Sequence, residues 1–370
     1  MINLSDKSQC CGCEACRTIC PKHCITMQED FEGFLYPKVN KDTCIDCGLC
    51  EKVCPILNPV NNDVEPEVYA AINNDENIRM QSSSGGIFTL LAESVINNGG
   101  VVFGACFDKD WNVVHDYAET IDGLTRIRGS KYVQSRIGVS FLRAKSFLDE
   151  GREVLFSGTP CQIAGFKNFL KKPYDNLLSV EVVCHGAPSP KVWRKYISAM
   201  PEIQHVSFRS KVKGWKNFSL SFRLKDGTIE ETEFYKNPYM NVFLSNLSLR
   251  PSCYACPAKL RNSQCDIALA DFWGVDKITP EIDDDKGCGL VLVNNKEKLE
   301  HVRILNCRFY AQNLVEVVKY NPCILEPVDK PINRDCFFTA LNHFGFIGAF
   351  KLVSNNNVLF RLIRKMYRLL

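Results

Sequence analysis

The sequence lacks the long apolar runs and the strong charge that would assign it to a membrane or to nucleic acid. No uncharged stretch of the 370 residues reaches the roughly 20 that a membrane-spanning helix needs. The longest, Cys336 to Phe350, contains Asn342 and His343. The first eight residues have no signal-peptide core, and a net charge of +3 is too small to indicate nucleic acid. These absences predict a cytoplasmic globular protein.

Two nucleotide-binding motifs are also absent. The chain has no G-x-G-x-x-G run and no G-x-x-x-x-G-K-S/T run. Direct NAD binding of the Rossmann type and P-loop nucleotide hydrolysis therefore lose their usual support. The length predicts two or three domains, and 45% hydrophobic with 24% charged residues is typical of an ordinary globular chain.

Cysteine, by contrast, is abundant and regularly spaced near the N-terminus. The spacing C-x2-C-x2-C-x3-C-P occurs twice, at Cys10, Cys13, Cys16 and Cys20 and again at Cys44, Cys47, Cys50 and Cys54. This spacing resembles that of two-cluster bacterial ferredoxins, in which the fourth cysteine of each run binds the other run's 4Fe-4S cluster. The resemblance implies one cluster on Cys10, Cys13, Cys16 and Cys54, and another on Cys44, Cys47, Cys50 and Cys20.

Zinc and disulfide bonds are the alternatives for these cysteines. Zinc usually takes paired C-x2-C arms, whereas a tight triplet with a remote fourth cysteine suits an iron–sulfur cube. Without an export signal, the twenty cysteines of the chain point to thiolates in a reducing compartment. Cys11 and Cys24 lie outside the spacing, and we interpret them as packed thiols.

The rest of the chain predicts a larger α/β domain and a basic tail. Residues 1–57 form the ferredoxin-like unit, 58–66 a polar linker, 67–330 the larger domain and 331–370 a C-terminal helical tail. Strands are predicted at 68–72, 101–107, 153–157, 177–184, 266–272 and 290–294, helices at 86–97, 137–150, 163–170, 191–200 and 296–303, and a hairpin at 219–234. The fold class is therefore α+β or α/β.

The last 35 residues contain no acidic side chain. Their basic residues are Lys351, Arg361, Arg364, Lys365 and Arg368. Leu359, Leu362, Ile363 and Met366 recur at helical spacing, which predicts an amphipathic helix. Such a helix lies on an anionic membrane, docks on a partner, or packs on its own domain.

Several motifs of the larger domain occur in a recognisable order. These are Ser82-Ser83-Ser84-Gly85-Gly86, Gly129-Ser130-Lys131-Tyr132, Gly158-Thr159-Pro160-Cys161, Cys184-His185-Gly186, Cys253-x2-Cys256 and the run DIALADFWG at 266–274. In this order they resemble the beta subunits of coenzyme F420 hydrogenases and dehydrogenases, a family that includes 7-hydroxymethyl chlorophyll a reductases.

The resemblance implies further cofactors. A third 4Fe-4S cluster is expected on Cys161, Cys184, Cys253 and Cys256, with Cys265 as a packing thiol or an alternative fourth ligand. FAD is expected at Ser83, Ser84, Gly85, Gly86, Gly129, Ser130, Lys131, Tyr132, Gly158 and Thr159. Serines and glycines before a helix also let backbone amides approach a phosphate, although an ordinary helix start has the same sequence.

The expected function is that of an iron–sulfur flavoprotein oxidoreductase. FAD exchanges one or two electrons and would join the clusters to a two-electron substrate such as coenzyme F420. Lys131 and His185 are the candidate catalytic residues, and a redox carrier such as ferredoxin is the expected partner. Two alternatives remain: a relay subunit without its own catalysis, and a membrane- or polysaccharide-assembly-associated factor that docks through the basic tail, peripheral to the membrane.

Overall fold

The computed structural model describes residues 1–3, 6–59, 65–259 and 263–354. Most of the predicted linker and the amphipathic segment from residue 355 onward lie outside this range. Within it the chain has the mixed α/β architecture that the sequence predicts, with a small cysteine-rich module followed by a large sheet domain.

Thirteen strands are present in the described part of the chain. They are β1 Ile25–Glu29, β2 Leu35–Val39, β3 Glu67–Asn73, β4 Val101–Phe107, β5 Val113–Ala118, β6 Val154–Gly158, β7 Leu177–Val182, β8 Ile203–Ser210, β9 Ser219–Leu224, β10 Ile229–Glu233, β11 Ile267–Asp271, β12 Gly289–Val293 and β13 Cys307–Gln312. The predicted strands are confirmed to within two residues at each end. The sequence interpretation missed β1, β2, β5, β8 and β13.

Twelve α-helices accompany the strands over the same described ranges. They are α1 Ala15–Ile19, α2 Leu49–Lys52, α3 Glu76–Gln81, α4 Ile87–Asn97, α5 Ser140–Asp149, α6 Pro160–Leu170, α7 Pro190–Ile197, α8 Pro238–Leu244, α9 Val275–Ile278, α10 Leu299–Arg303, α11 Leu314–Tyr320 and α12 Arg334–Ser354. A 3-10 helix at Pro251–Ala255 carries one of the cysteine motifs.

The large domain is built on an eight-stranded sheet in the order β13-β3-β12-β11-β7-β6-β4-β5. The four strands β11, β7, β6 and β4 are parallel, and the outer pairs are antiparallel. β6 and β12 are buried along their whole length, as expected for strands covered on both faces. Parallel neighbours end at one edge of a sheet, so the segments after β6 and β7 emerge side by side.

A second sheet, β10-β9-β8, extends the domain on one side. The hairpin β9–β10 confirms the predicted turn, with Leu224 N donating to Thr228 O. Helices α7, α8 and α12 share a core with this sheet, and Trp193 on α7 and Tyr239 on α8 are fully buried there. The sequence interpretation missed α8, whereas α12 lies within the predicted C-terminal helical tail, although its apolar residues follow no clear amphipathic period.

Helix α6 begins three residues earlier than predicted. Thr159 forms a capping box with Gln162, whose side chain accepts from the Thr159 backbone N–H at 3.0 Å. Pro160 fits the first turn because it has no N–H to leave unpaired. Cys161 therefore lies in the first turn of this helix rather than before it.

Among the described helices, α12 alone is long and apolar enough to cross a membrane. It nevertheless contains charged residues, since no uncharged stretch of the sequence has that length. This rests on length and composition, and 44% of its apolar window is buried inside the protein. Gly345, with φ of 68°, interrupts the helix. Phe337, Phe338 and Leu341 before it are fully buried in the core beside the small sheet.

Candidate iron–sulfur centres

The first cavity lies inside the N-terminal module and is lined by cysteines from both repeats. Cys44, Cys47 and Cys50 of the second repeat line it together with Cys20 of the first. Cys24 also lines it, with its Sγ 3.3 Å from Cys20 Sγ. The sequence interpretation treated Cys24 as a packed thiol beside the ligand set but outside its spacing.

The second cavity has the reciprocal composition. Cys10, Cys13 and Cys16 of the first repeat line it together with Cys54 of the second. Helices α1 and α2, which carry one cysteine each, pack together and bring the two repeats into contact. The fourth cysteine of each run thus faces the other run's cavity, which is the arrangement implied by the ferredoxin spacing.

The four cysteines proposed for a third cluster converge at the carboxyl edge of the sheet. Cys161 follows β6, Cys184 follows β7, Cys253 lies in the 3-10 helix, and Cys256 directly follows that helix. Every pair among these four interacts electrostatically. Cys253 Sγ also accepts a hydrogen bond from Ala187 N at 3.3 Å.

Burial makes these thiols weak acids in the absence of iron. It raises the pKa of Cys253 to about 12 and that of Cys256 to about 11. In the module, burial raises the pKa of Cys16 to about 12. Clustered, desolvated thiols of this kind are costly to ionise unless a metal replaces their protons. The donor chemistry therefore fits iron–sulfur clusters at all three places.

Among the described residues, no three His, Cys, Asp or Glu side chains are arranged to hold a single metal ion. An iron–sulfur cube binds its cysteines through different irons, so its ligand set is wider than that of one ion. Cys265, the alternative ligand, is buried and accepts a hydrogen bond from Asn294 Nδ2 at 3.0 Å.

The module is joined to the large domain through its first repeat. Cys13 Sγ packs on Gly165 of α6, where an added Cβ would lie 2.8 Å from the sulfur. Cys11 is buried between Cys13 and Cys161 and interacts with both. The second cavity of the module and the group of four cysteines at the sheet edge are therefore neighbours across this contact.

The two motifs expected at a flavin meet in the structure. Ser83 Oγ accepts a hydrogen bond from Ser130 N at 2.7 Å, next to Gly129. Gly86, with φ of 83°, precedes α4, and no side chain caps this helix. Gly85 has a structural reason instead: an added Cβ would lie 2.3 Å from Ala71 O. The two motifs therefore lie together at a helix N-terminus whose first backbone N–H groups have no side-chain cap.

Other flavin-site candidates are engaged within the protein. Ser84 Oγ donates to Cys288 O at 2.8 Å. Lys131 Nζ donates to three backbone carbonyls, those of Arg126, Ile127 and Arg128, at 3.0, 2.7 and 3.0 Å. Burial lowers the pKa of Lys131 to about 7. Its direct contact with a cofactor stays a prediction. In the structure its Nζ binds the carbonyls at the end of the 3-10 helix Asp122–Arg126.

Tyr132, Gly158 and Thr159 also have partners. Tyr132 Oη accepts from Arg209, 3.0 Å away, and the ring stacks on Phe243 at 4.7 Å between centroids. Gly158 ends β6, and Thr159 caps α6 with its Oγ1 3.4 Å from Cys161 Sγ. These two residues lie beside the third group of cysteines.

His185, a predicted catalytic residue, lies beside the third group of cysteines. Its neighbours there include residues that the sequence interpretation did not identify. Its Nε2 is 2.6 Å from Asn246 Oδ1, and its Nδ1 is 3.5 Å from Cys323 Sγ. Burial lowers its pKa, so the ring is neutral at pH 7. Lys259 Nζ donates to Cys184 O at 2.5 Å. Neither Lys259 nor Cys323 belongs to a recognisable sequence motif, so the sequence did not indicate that they lie near this group of cysteines.

A ferredoxin-like module joined to a sheet domain through facing cysteine groups defines an iron–sulfur electron-transfer protein. Two family models, for the N-terminal and the C-terminal parts of the coenzyme F420 hydrogenase/dehydrogenase beta subunit, match residues 68–140 and 151–310. A model described as "4Fe-4S dicluster domain" matches residues 9–57. The chain belongs to the family of coenzyme F420 hydrogenase/dehydrogenase beta subunits.

Curated relatives match parts of the chain. The coenzyme F420-dependent sulfite reductase of Methanocaldococcus jannaschii is 25% identical over 196 residues, which are 50% of this chain and 29% of that protein. One subunit of the F420H2 dehydrogenase of Methanosarcina mazei is 22% identical over 55% of this chain and 60% of its own. A 7Fe ferredoxin of Hydrogenibacillus schlegelii is 40% identical over 15% of this chain and 64% of its own. The chain spans less than two thirds of these relatives.

A solved structure has the same fold. One chain of the F420-reducing NiFe hydrogenase complex from Methanosarcina barkeri superposes with a TM-score of 0.50 and 15% identity. The superposition covers 77% of this chain and 96% of the other. At this identity the likeness concerns the fold alone.

Proposed function

We propose that this protein is an iron–sulfur flavoprotein oxidoreductase that carries three 4Fe-4S clusters and FAD. Iron–sulfur electron transfer follows from its family; the number of clusters, the flavin and the substrate are the proposal. The carrying observation is that twelve cysteines assemble into three groups of four, two of them around cavities. Each group offers four thiolates, the ligand number of one cube.

The ligands of the three clusters are proposed as the sequence resemblance implies. One set is Cys10, Cys13, Cys16 and Cys54, the next Cys20, Cys44, Cys47 and Cys50, and the third Cys161, Cys184, Cys253 and Cys256. The raised pKa values of buried members support ligation, because iron binding removes the cost of ionising them.

FAD is proposed at the N-terminus of α4. Ser83 and Ser130 meet there, and the uncapped backbone N–H groups after Gly86 attract a phosphate. A bound flavin would exchange single electrons with the clusters and a pair with an organic substrate. Coenzyme F420, which appears in the names of two relatives, is the first substrate to test.

Iron and flavin quantification after anaerobic purification tests this function. We expect about twelve irons and one FAD per chain, from three four-iron cubes. Cys161→Ser or Cys256→Ser should remove about a third of the iron, because each deletes one ligand of one cube. Cys265→Ser is the matched control: it removes a buried thiol hydrogen-bonded to Asn294 and should keep all the iron. Colourless or zinc-containing preparations would contradict the proposal.

A relay subunit without its own catalysis is the second candidate. It is favoured by the internal partners of Ser84 and Lys131, two of the expected flavin contacts. A relay would bind the full iron content, contain no FAD and reduce no F420 by itself. Assays with F420, NAD(P)H and ferredoxin as donors separate the two candidates. The expected partner is a redox carrier in either case.

We propose a cytoplasmic location, because thiolate ligands need a reducing compartment. None of the twenty cysteines, all of which lie within the described residues, forms a disulfide bond. The peripheral membrane alternative depends on residues 355–370, which lie outside the described residues. Deletion of 355–370 tests it, since a membrane-bound protein would then leave the membrane fraction.

A further inference from the structure

Arg250 is a buried cation placed between two of the cysteine groups. Its side chain is 1% exposed, although the residue stands in a loop between α8 and the 3-10 helix. Nη2 donates to Cys10 Sγ at 3.4 Å, and Nε donates to Cys10 O at 2.6 Å. Cys253, three residues further along the chain, also interacts with the guanidinium. This positive charge therefore acts on Cys10, a proposed ligand of the cluster in the second cavity, and on Cys253, a proposed ligand of the third cluster.

The surroundings of Arg250 hold the guanidinium in a single orientation. Nη1 donates to Gln134 Oε1 at 3.1 Å, and Nη2 also donates to Leu35 O at 2.9 Å. The plane lies over the ring of Tyr36, 4.3 Å from its centroid. Gly12 makes the approach possible, because an added Cβ would lie 2.8 Å from Nη1. Several partners from the module and the large domain thus fix this charge beside the sulfur.

We propose that Arg250 is a positioning residue that sets the reduction potential of the cluster on Cys10, Cys13, Cys16 and Cys54 relative to the third cluster. This rests on the proposed function. A reduced cube carries one more negative charge than an oxidised cube. A cationic donor on a ligand sulfur stabilises the reduced form and raises the potential.

The step that Arg250 controls is the transfer of one electron between neighbouring cubes. One cube is oxidised by one electron and the other is reduced by one, with no bond made or broken and no proton moved. An external one-electron carrier or the two-electron substrate supplies and removes the electrons. Cys11, buried between Cys13 and Cys161, fills the short path between the two ligand sets.

Redox titration of the full chain, followed by electron paramagnetic resonance, tests the proposal. The first cluster is here the one on Cys10, Cys13, Cys16 and Cys54. Its signal is identified as the one that is lost in Cys13→Ser. In Arg250→Gln we expect the ratio of reduced third to reduced first cluster to rise at least tenfold, about 59 mV for a one-electron couple. Arg250→Lys, which keeps the charge without the planar fork, should shift the ratio less and in the same direction.

Arg334 provides the matched control. It is 2% exposed and also binds the module, through Glu32 at 2.7 and 2.6 Å, but no cysteine is among its hydrogen-bond partners. Arg334→Gln should lower stability and leave the ratio of reduced clusters unchanged. An unchanged ratio in Arg250→Gln with full iron content, or an equal shift in Arg334→Gln, overturns the proposal.

Two further outcomes are also decisive. If Arg250→Gln loses its iron, Arg250→Lys decides the matter, and an unshifted ratio there overturns the role of Arg250. If the unmodified chain shows no cluster signals, the proposed function fails rather than the role of Arg250. The potential is the readout because a purely structural arginine would not move it.

Discussion

The N-terminal module and the eight-stranded sheet domain bury different chemistry. One cluster of buried residues in the described part of the module has seven members, of which five are cysteines: Cys16, Cys20, Cys24, Cys50 and Cys54. The sheet domain instead buries aliphatic and aromatic side chains, among them a stack in which Phe156 and Phe166 lie 4.2 Å apart between centroids. Thiols therefore make up most of this buried cluster of the module, whereas hydrocarbon side chains fill the core of the large domain.

This difference means that the two regions depend on different sources of stability. Fewer than 60 residues bury little surface, and small domains usually need metal or disulfides to stay folded. The sheet domain has enough apolar area for a core of its own. Four predictions follow from this comparison, in order of falling effect.

Iron removal should affect the two regions unequally. Chelation under reducing conditions should unfold the module, since its folding free energy comes largely from metal ligation. Hydrogen exchange should then lose nearly all protection in β1, Ile25–Glu29, and keep it in β6, Val154–Gly158. Equal loss in both strands would show that the large domain also depends on its cluster for folding.

Removal of one ring from the large core should have the converse effect. Phe156 is fully buried, and Phe156→Ala should lower the free energy of unfolding of the sheet domain by about 3–5 kcal/mol. Phe156→Leu, which leaves a smaller cavity, should cost less. Urea unfolding of the sheet domain measures the change, and the module's resonance signals should persist.

The sheet domain should also lose stability in mild acid through His115. Burial lowers the pKa of this ring to about 4 from 6.5, and Nε2 is 3.0 Å from Ser157 O. Because the unfolded chain binds the proton more tightly, stability falls as pH drops from 6.5 to 4, by about 3 kcal/mol at most. His115→Gln should flatten this window in urea unfolding at several pH values, and an unchanged slope would contradict the assignment.

The smallest effect is expected at a backbone contact of Gly85, within the Ser82–Gly86 motif. In Gly85→Ala the new Cβ would lie 2.3 Å from Ala71 O, so the overpacking should cost about 1–3 kcal/mol. Gly289→Ala on the facing strand is the control, because its Cβ would have ordinary contacts at 3.6 Å. Thermal unfolding compares the two, and equal melting temperatures would remove the packing explanation for Gly85.

The sequence predicted elements best where local signals were strong. The helix predicted at 191–200 is present as α7, where the local signals are a Ser189 cap, whose Oγ accepts from Lys191 N and Val192 N, and Pro190 in the first turn. The β9–β10 hairpin was recognisable from its Lys-Asp-Gly-Thr turn. The start of α5 was not predicted correctly, since the helix begins at Ser140 rather than at residue 137. The Ile137 N–H donates instead to Glu14 of the module. A long-range partner overrode the local helical pattern.

What the sequence determined by itself is which cysteines are candidate ligands. Cysteine spacing encodes which sulfurs can reach one cube, since the chain between them is short and its reach is limited. Only the tertiary structure decided which groups become neighbours. Arg250 contacts Cys10 across 240 positions, and Cys11 meets Cys161 across a module boundary. Contacts of this range arise from packing of whole elements, whose free energy is spread over many residues and leaves no local pattern.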